Sequence, residues 1–116
     1  MTRRHRLRGA AAFAAVLRRG QRLEGERLQL VAVASADAVG RVGYVIGKKL
    51  LARAVDRNRL KRMLREAVRA RRPALNAFDV VVRLRRPCAA KDIPGAIAEA
   101  SALLDALGPR AAGPRR

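Results

Sequence analysis

Two short strand-like runs, "RVGYVIGKK" (41–49) and "AFDVVVRLR" (77–85), flank a segment of helical periodicity whose polar positions are nearly all cationic. At about 100° per residue over 53–71, Leu60, Met63, Leu64 and Ala67 share one arc of about 100°. Arg57, Asn58, Lys61, Arg62, Arg65 and Arg69 spread over the adjoining arc of about 140°, with Arg59 and Glu66 further round. Such a helix can bury only its apolar arc. The cations must then face outward, whatever the rest of the chain does.

A solvated helix face normally interleaves acids with bases at i,i+4 spacing. Here only Asp56 and Glu66 are available for pairing, so an ion-paired surface fits the pattern poorly. Binding to a polyanion fits better. Asn58 sits amid the cations, and its amide both donates and accepts, so it suits a base edge or a ribose hydroxyl. Lys48 and Lys49 close the preceding strand and bring charge to the helix N-terminus, which already favours anions through its dipole and free amides.

The remaining segments supply the scaffold. Phe13, Val16 and Leu17 recur at helical spacing in a first helix from Gly9 to Arg19, with Gly20 as its expected C-cap. "RLQLVAVA" (27–34) reads as a strand with Leu28, Leu30 and Ala32 on one side and Gln29, Val31 and Val33 on the other. It is expected to pair with 41–49 as an antiparallel hairpin across "SADAVG". The cationic helix stops before Pro73. Asp92 is the expected N-cap of a last helix carrying Ile93, Ile97, Leu103, Leu104 and Leu107, closed by Gly108 and Pro109.

The order is α-β-β-(β)-α-β-α, the optional strand coming from a split of 21–34. This is an α+β domain with a small mixed sheet and helices mainly on one face. Residues 1–8 read as a basic arm, 9–108 as a single domain, and 109–116 as a flexible basic tail.

The chain has 116 residues, 27 Lys and Arg against 9 Asp and Glu, and a formal charge of +18. Charge of that density opposes compaction unless a polyanion partner offsets it. Cys88 and His5 are the only residues of their kinds, which excludes an intrachain disulfide and leaves too few ligands for a Cys/His zinc site. No apolar run approaches the roughly 20 residues of a membrane span. A cytoplasmic protein is expected.

"RVGYVIGKKLLARAVDRNRLKRMLREAVR" resembles the signature of the bacterial ribonuclease P protein subunit, a strand followed by K-K, an A-x-x-R-N-R-[IL]-K-R stretch and R-E. Here the elements are Arg41-Val42-Gly43, Lys48-Lys49, Ala54 to Arg62 and Arg65-Glu66. "RLRGAAAFAAVLRRGQR" and "FDVVVRLRRP" extend the likeness over about residues 6 to 107.

The resemblance implies a ribosomal protein S5 domain 2-like fold with an uncommon left-handed crossover through the arginine-rich helix. It also implies a protein that is monomeric alone, with no catalytic residue, no bound metal and no cofactor of its own. Its partners would be the catalytic RNA of ribonuclease P, which needs Mg2+, and precursor tRNA, whose 5′ leader the holoenzyme removes. By position, Lys48, Lys49, Arg53, Arg57, Asn58, Arg59, Lys61, Arg62 and Arg65 would contact the catalytic RNA. Phe13, Leu17, Gln29 and Val31 would line a leader-binding cleft between the first helix and the sheet. Many family members carry aromatics where this chain has Leu17 and Val31, so weaker stacking on the leader is expected.

Two other functions compete. An independent nuclease needs paired carboxylates or acid–base partners, yet Asp56 and Glu66 lie about 15 Å apart along the helix. A ribosomal protein or general RNA chaperone accounts for charge and size but not for the ordered R-N-R segment between strand and helix.

Overall fold

The computed structural model describes residues 5–112. The elements run α1 (Ala10–Arg19), β1 (Gln21–Glu24), β2 (Leu28–Ala34), β3 (Val42–Val45), α2 (Ala54–Arg69), β4 (Phe78–Leu84) and α3 (Ile93–Ala112), with 3-10 turns at Ala74–Ala77 and Ala90–Asp92. The region 21–34 does split into two strands, which form a hairpin through Gly25 to Arg27.

The sheet order is β1-β2-β4-β3. The expected hairpin between 27–34 and 41–49 is therefore absent. β4 inserts between those strands, antiparallel to β2 and parallel to β3. Burial explains the choice. β2 is buried at its first five positions and β4 at Val80, Val81 and Val82, so each needs neighbours on both edges. β3 has only four residues and suits an edge. The β3–α2–β4 connection can join parallel strands because α2 spans the sheet between them.

Strand alternation divides the apolar residues into two layers. Leu28, Leu30, Ala32, Val42, Val80 and Val82 face α2 and α3, where Leu60, Leu64, Val68, Ile93, Leu104 and Leu107 complete the main core. Val31 and Val81 face the other way, against Leu7 and Val16, with Phe13 and Leu17 at the margin. Two helices thus pack on one face, while α1 covers part of the other.

Several boundaries differ from the expectation. Leu7 is buried and its N–H donates to Val42 O at 3.1 Å, so the domain begins before residue 9. Residues 1–4 of the expected arm lie outside the described residues. Gly20 has an extended backbone rather than a left-handed cap. Glycine is needed there for space, since a Cβ would lie 2.5 Å from Val31 Cγ1.

Asp92 does not cap α3. Its Oδ2 accepts from the Ala89 N–H at 3.2 Å, which closes the preceding 3-10 turn. α3 continues through Gly108 and Pro109 to Ala112, because an internal proline removes one donor without ending every helix. The end of the expected tail, 113–116, is outside the described residues.

Candidate nucleic-acid interface

α2 lies on the main core through Leu60, Leu64, Ala67 and Val68, with Met63 half-buried beside them. The helical wheel thus places the apolar arc correctly, and Val68 widens it. Arg53 stands at the N-cap position, with Asp56 in the first turn. Asn58 and Arg62 are exposed, and Arg59, Lys61 and Arg65 are half-exposed.

Lys48 and Lys49 are exposed too, but not on a strand. β3 ends at Val45, and the two lysines ride on a turn in which Gly47 O accepts from the N–H groups of Leu50 and Leu51, both at 3.2 Å. The Cys88 N–H donates to Leu50 O at 2.9 Å and pins this turn to the segment after β4.

Among the described residues, none of Lys48, Lys49, Arg53, Arg59, Lys61, Arg62 and Arg65 forms an ion pair. Three acids of α2 and α3 are engaged elsewhere. Glu66 pairs with Arg69 at 2.5 Å, which holds its carboxyl below the usual range. Asp105 pairs with Arg71 at 2.8 Å. Glu99 is turned inward, where Oε1 accepts from the backbone N–H groups of Arg27 and Leu28 at 2.8 and 3.1 Å. The face therefore keeps its charge uncompensated.

Arg57 differs from its neighbours. Its Nη1 donates to Leu51 O at 2.9 Å and to Ala52 O at 2.6 Å, so part of the guanidinium is committed to the chain itself.

The four predicted leader residues separate. Phe13 and Leu17 are half-buried at the margin of the smaller core. Val31 is wholly buried and offers a ligand no surface, because it faces the small core beneath α1. Gln29 is also buried. Its Nε2 donates to Glu24 Oε2 at 2.5 Å and its Oε1 accepts from Arg83 Nε at 2.7 Å, which uses both ends of the amide. Val31 and Gln29 thus lie beneath the surface between α1 and the sheet.

Arg83 was missed as a sequence candidate, although alternation from Val81 in "FDVVVRLR" places it on this face. Burial and the neighbouring Arg85 and Arg22 weaken its hold on its proton. The larger groove along α1, about 570 Å³, is lined by Ala12, Ala15, Arg19 and Asp79 among others and by none of the four.

A smaller cavity of about 200 Å³ opens at the β3 edge, where Arg6, Phe13, Gly43, Tyr44, Lys61 and Arg65 meet. Gly43 is the hinge of this arrangement. A Cβ there would run into Phe13 Cζ and lie 2.6 Å from Cε2. The Tyr44 hydroxyl is buried without a hydrogen-bond partner among the described residues, and burial raises its pKa against the opposing pull of Arg65 and Arg72. It stays neutral at any physiological pH.

Comparison with known proteins agrees with this geometry. A family model described as Ribonuclease P matches residues 1–108. A ribonuclease P protein component of Nitrosomonas eutropha is 39% identical over 101 residues, 85% of this chain and 84% of its own length. One from Bordetella parapertussis is 51% identical over 85 residues, 68% of each chain. The structure of the RNase P protein from Thermotoga maritima superposes with a TM-score of 0.69 at 26% identity, covering 90% of this chain and 96% of that one. The Staphylococcus aureus RNase P protein shares the fold, with a TM-score of 0.76 at 24% identity over 89% and 94% of the two chains.

Proposed function

The chain belongs to the ribonuclease P protein family and is a protein component of the enzyme that matures the 5′ end of tRNA; on that premise we propose that α2 and the turn before it bind the catalytic RNA of the enzyme. The observation that carries this reading is the uncompensated charge of Lys48, Lys49, Arg53, Arg59, Lys61, Arg62 and Arg65. Phosphates would supply the missing anions, and each neutralised phosphate releases condensed counterions. Asn58 adds a donor and an acceptor among groups that only donate.

The 5′ leader of precursor tRNA takes the α1 side. Phe13 and Leu17 offer the apolar margin, and Gln29 and Arg83 brace the sheet behind them. Only Phe13 provides an aromatic ring, so stacking contributes to leader binding through one base at most.

Bond cleavage belongs to the RNA and its Mg2+ ions. Among the described residues no three of the His, Cys, Asp and Glu side chains come together. The protein's part is to bind and to position. Among the described residues no helix is long and apolar enough to cross a membrane.

The test is Lys61→Glu with Arg65→Glu. Circular dichroism and thermal unfolding should match the unaltered protein, while affinity for the ribonuclease P RNA falls at least about tenfold at moderate salt. Undiminished assembly by the folded variant would overturn the assignment. Precursor tRNA incubated with the protein and Mg2+ but without the RNA should stay uncut.

A further inference from the structure

Arg57 lies within the proposed RNA-binding segment, yet its guanidinium points back at the chain. One nitrogen, Nη1, donates to two successive carbonyls, Leu51 O and Ala52 O, at 2.9 and 2.6 Å. These carbonyls belong to the stretch that joins the Lys48–Lys49 turn to the N-cap of α2. The same stretch is held by two further devices. Gly47 O accepts from the Leu50 and Leu51 N–H groups, and Leu50 O accepts from the Cys88 N–H. Leu51 is buried in the main core. Lys48 and Lys49 remain exposed on the outside of the turn.

We infer that Arg57 is a positioning residue: it clamps residues 51–52 so that the exposed lysines of the turn and the N-terminus of α2 form one preset surface for phosphates. The inference rests on the RNA-binding reading above and assigns Arg57 a different part in it. A point charge does not account for the geometry. The two N–H bonds of Nη1 lie at fixed directions in the guanidinium plane, so donation to two neighbouring carbonyls fixes the course of the chain, which an ammonium on a flexible stem does less well. Preset surfaces bind more tightly because less ordering is left to the moment of association.

The experiment is a cycle of Arg57→Lys with the double change Lys48→Ala, Lys49→Ala, reading affinity for the ribonuclease P RNA at fixed salt. Arg57→Lys keeps the charge, so long-range attraction is preserved. In the unaltered background it should weaken binding about tenfold, and less than about threefold once both lysines are gone, as expected for coupled groups. An equal cost in both backgrounds would make Arg57 an independent phosphate ligand and overturn the inference, leaving the RNA-binding reading in place. A negligible cost in the unaltered background would overturn it as well. If the lysine double variant itself binds like the unaltered protein, the assignment of these lysines to the interface falls, and the clamp falls with it.

Hydrogen exchange on the unaltered free protein gives a check that needs no variant. The Leu50 and Leu51 amides should be protected before RNA is added. Protection that appears only on RNA binding would refute a preset turn.

Discussion

Gly43→Ala places a methyl group where the Phe13 ring now lies. In the folded protein the new Cβ would meet Phe13 Cζ and sit 2.6 Å from Cε2, with Leu7 Cβ at 3.2 Å. Carbon atoms in contact prefer about 3.5–4.0 Å, so something must retreat by about 1 Å. β3 cannot, because Gly43 is registered against Val81 of β4 and Val42 accepts from Leu7 on the same strand. The ring of Phe13, half-buried on α1, must move instead. Overpacking of this kind costs about 1–3 kcal/mol. For a domain of this size that corresponds to a fall in Tm of about 4–12 °C.

The same displacement moves the Phe13 ring out of the cavity that it shares with Tyr44, Lys61 and Arg65. The reconstituted holoenzyme carrying Gly43→Ala should show only a modest fall in its preference for precursor tRNA with a long leader, while affinity for the catalytic RNA is kept. Phe13→Ala separates the causes. With the ring gone the clash is gone, so Gly43→Ala on that background should cost less than about 0.5 kcal/mol, a coupling of the size seen between contacting residues. Thermal unfolding of the four proteins measures it. Equal costs in the two backgrounds, or an unchanged Tm for Gly43→Ala alone, would refute the argument from ring contact.

Other outcomes follow from the ion pairs and buried groups. Glu99→Ala strands the Arg27 and Leu28 amides, so denaturant midpoints should show a loss of about 2–5 kcal/mol, while Glu99→Gln, which keeps an acceptor, loses less than half of that. The Arg41 guanidinium hydrogen-bonded to Asp37 lowers that carboxyl from its ordinary 3.8 to about 2. Its stabilising effect is therefore full above about 3.8 and is lost as pH falls through about 2. Asp37→Asn should accordingly lower Tm slightly at neutral pH and by less at pH 2, and an NMR titration of Asp37 centred near 4 would contradict this. Burial raises the Cys88 thiol, so iodoacetamide should label the native protein far more slowly than the unfolded chain at pH 8.

The elements themselves were legible because each carries a local periodicity. The 3.6-residue pattern of α2 predicts its buried arc, and the strand at 27–34 announces its two faces through Leu28, Leu30 and Ala32 against Gln29, Val31 and Val33. Pairing was not legible in the same way. The strands at 27–34 and 41–49 are close in sequence, and a hairpin is the cheapest closure for a short loop. What decides against it is the demand of β4, whose Val80, Val81 and Val82 are buried on both faces and need two strands beside them. That demand is a property of the assembled sheet and leaves no mark on the loop between β2 and β3.

The site shows the same division. Charge is written in the sequence, so the exposed cations of α2 follow directly from the wheel. Direction is not. Arg57 belongs to the same R-N-R run as Arg59, yet it donates to carbonyls of the preceding segment because it lies one turn into the helix, where the chain has just folded back. Gln29 and Val31 alternate correctly onto the α1 side, but alternation gives a face and not an exposure.

The β3 edge brings residues of the two proposed surfaces together. α1 and α2 lie on opposite faces of the sheet, so an RNA held by α2 and a leader held by α1 would be separated by the sheet if its edge were closed. β3 is the last strand of the sheet, and among the described residues it pairs with β4 and, through a single bridge, with Arg6. Across that edge Lys61 and Arg65 from one face and Phe13 from the other line a single cavity. Gly43 permits the approach by having no side chain. A single strand leaving the phosphate-binding helix could therefore reach the aromatic side without crossing the core, and a further strand paired at this edge would cut that path. The short, four-residue β3 thus leaves Lys61, Arg65 and Phe13 within reach of one another at the edge of the sheet.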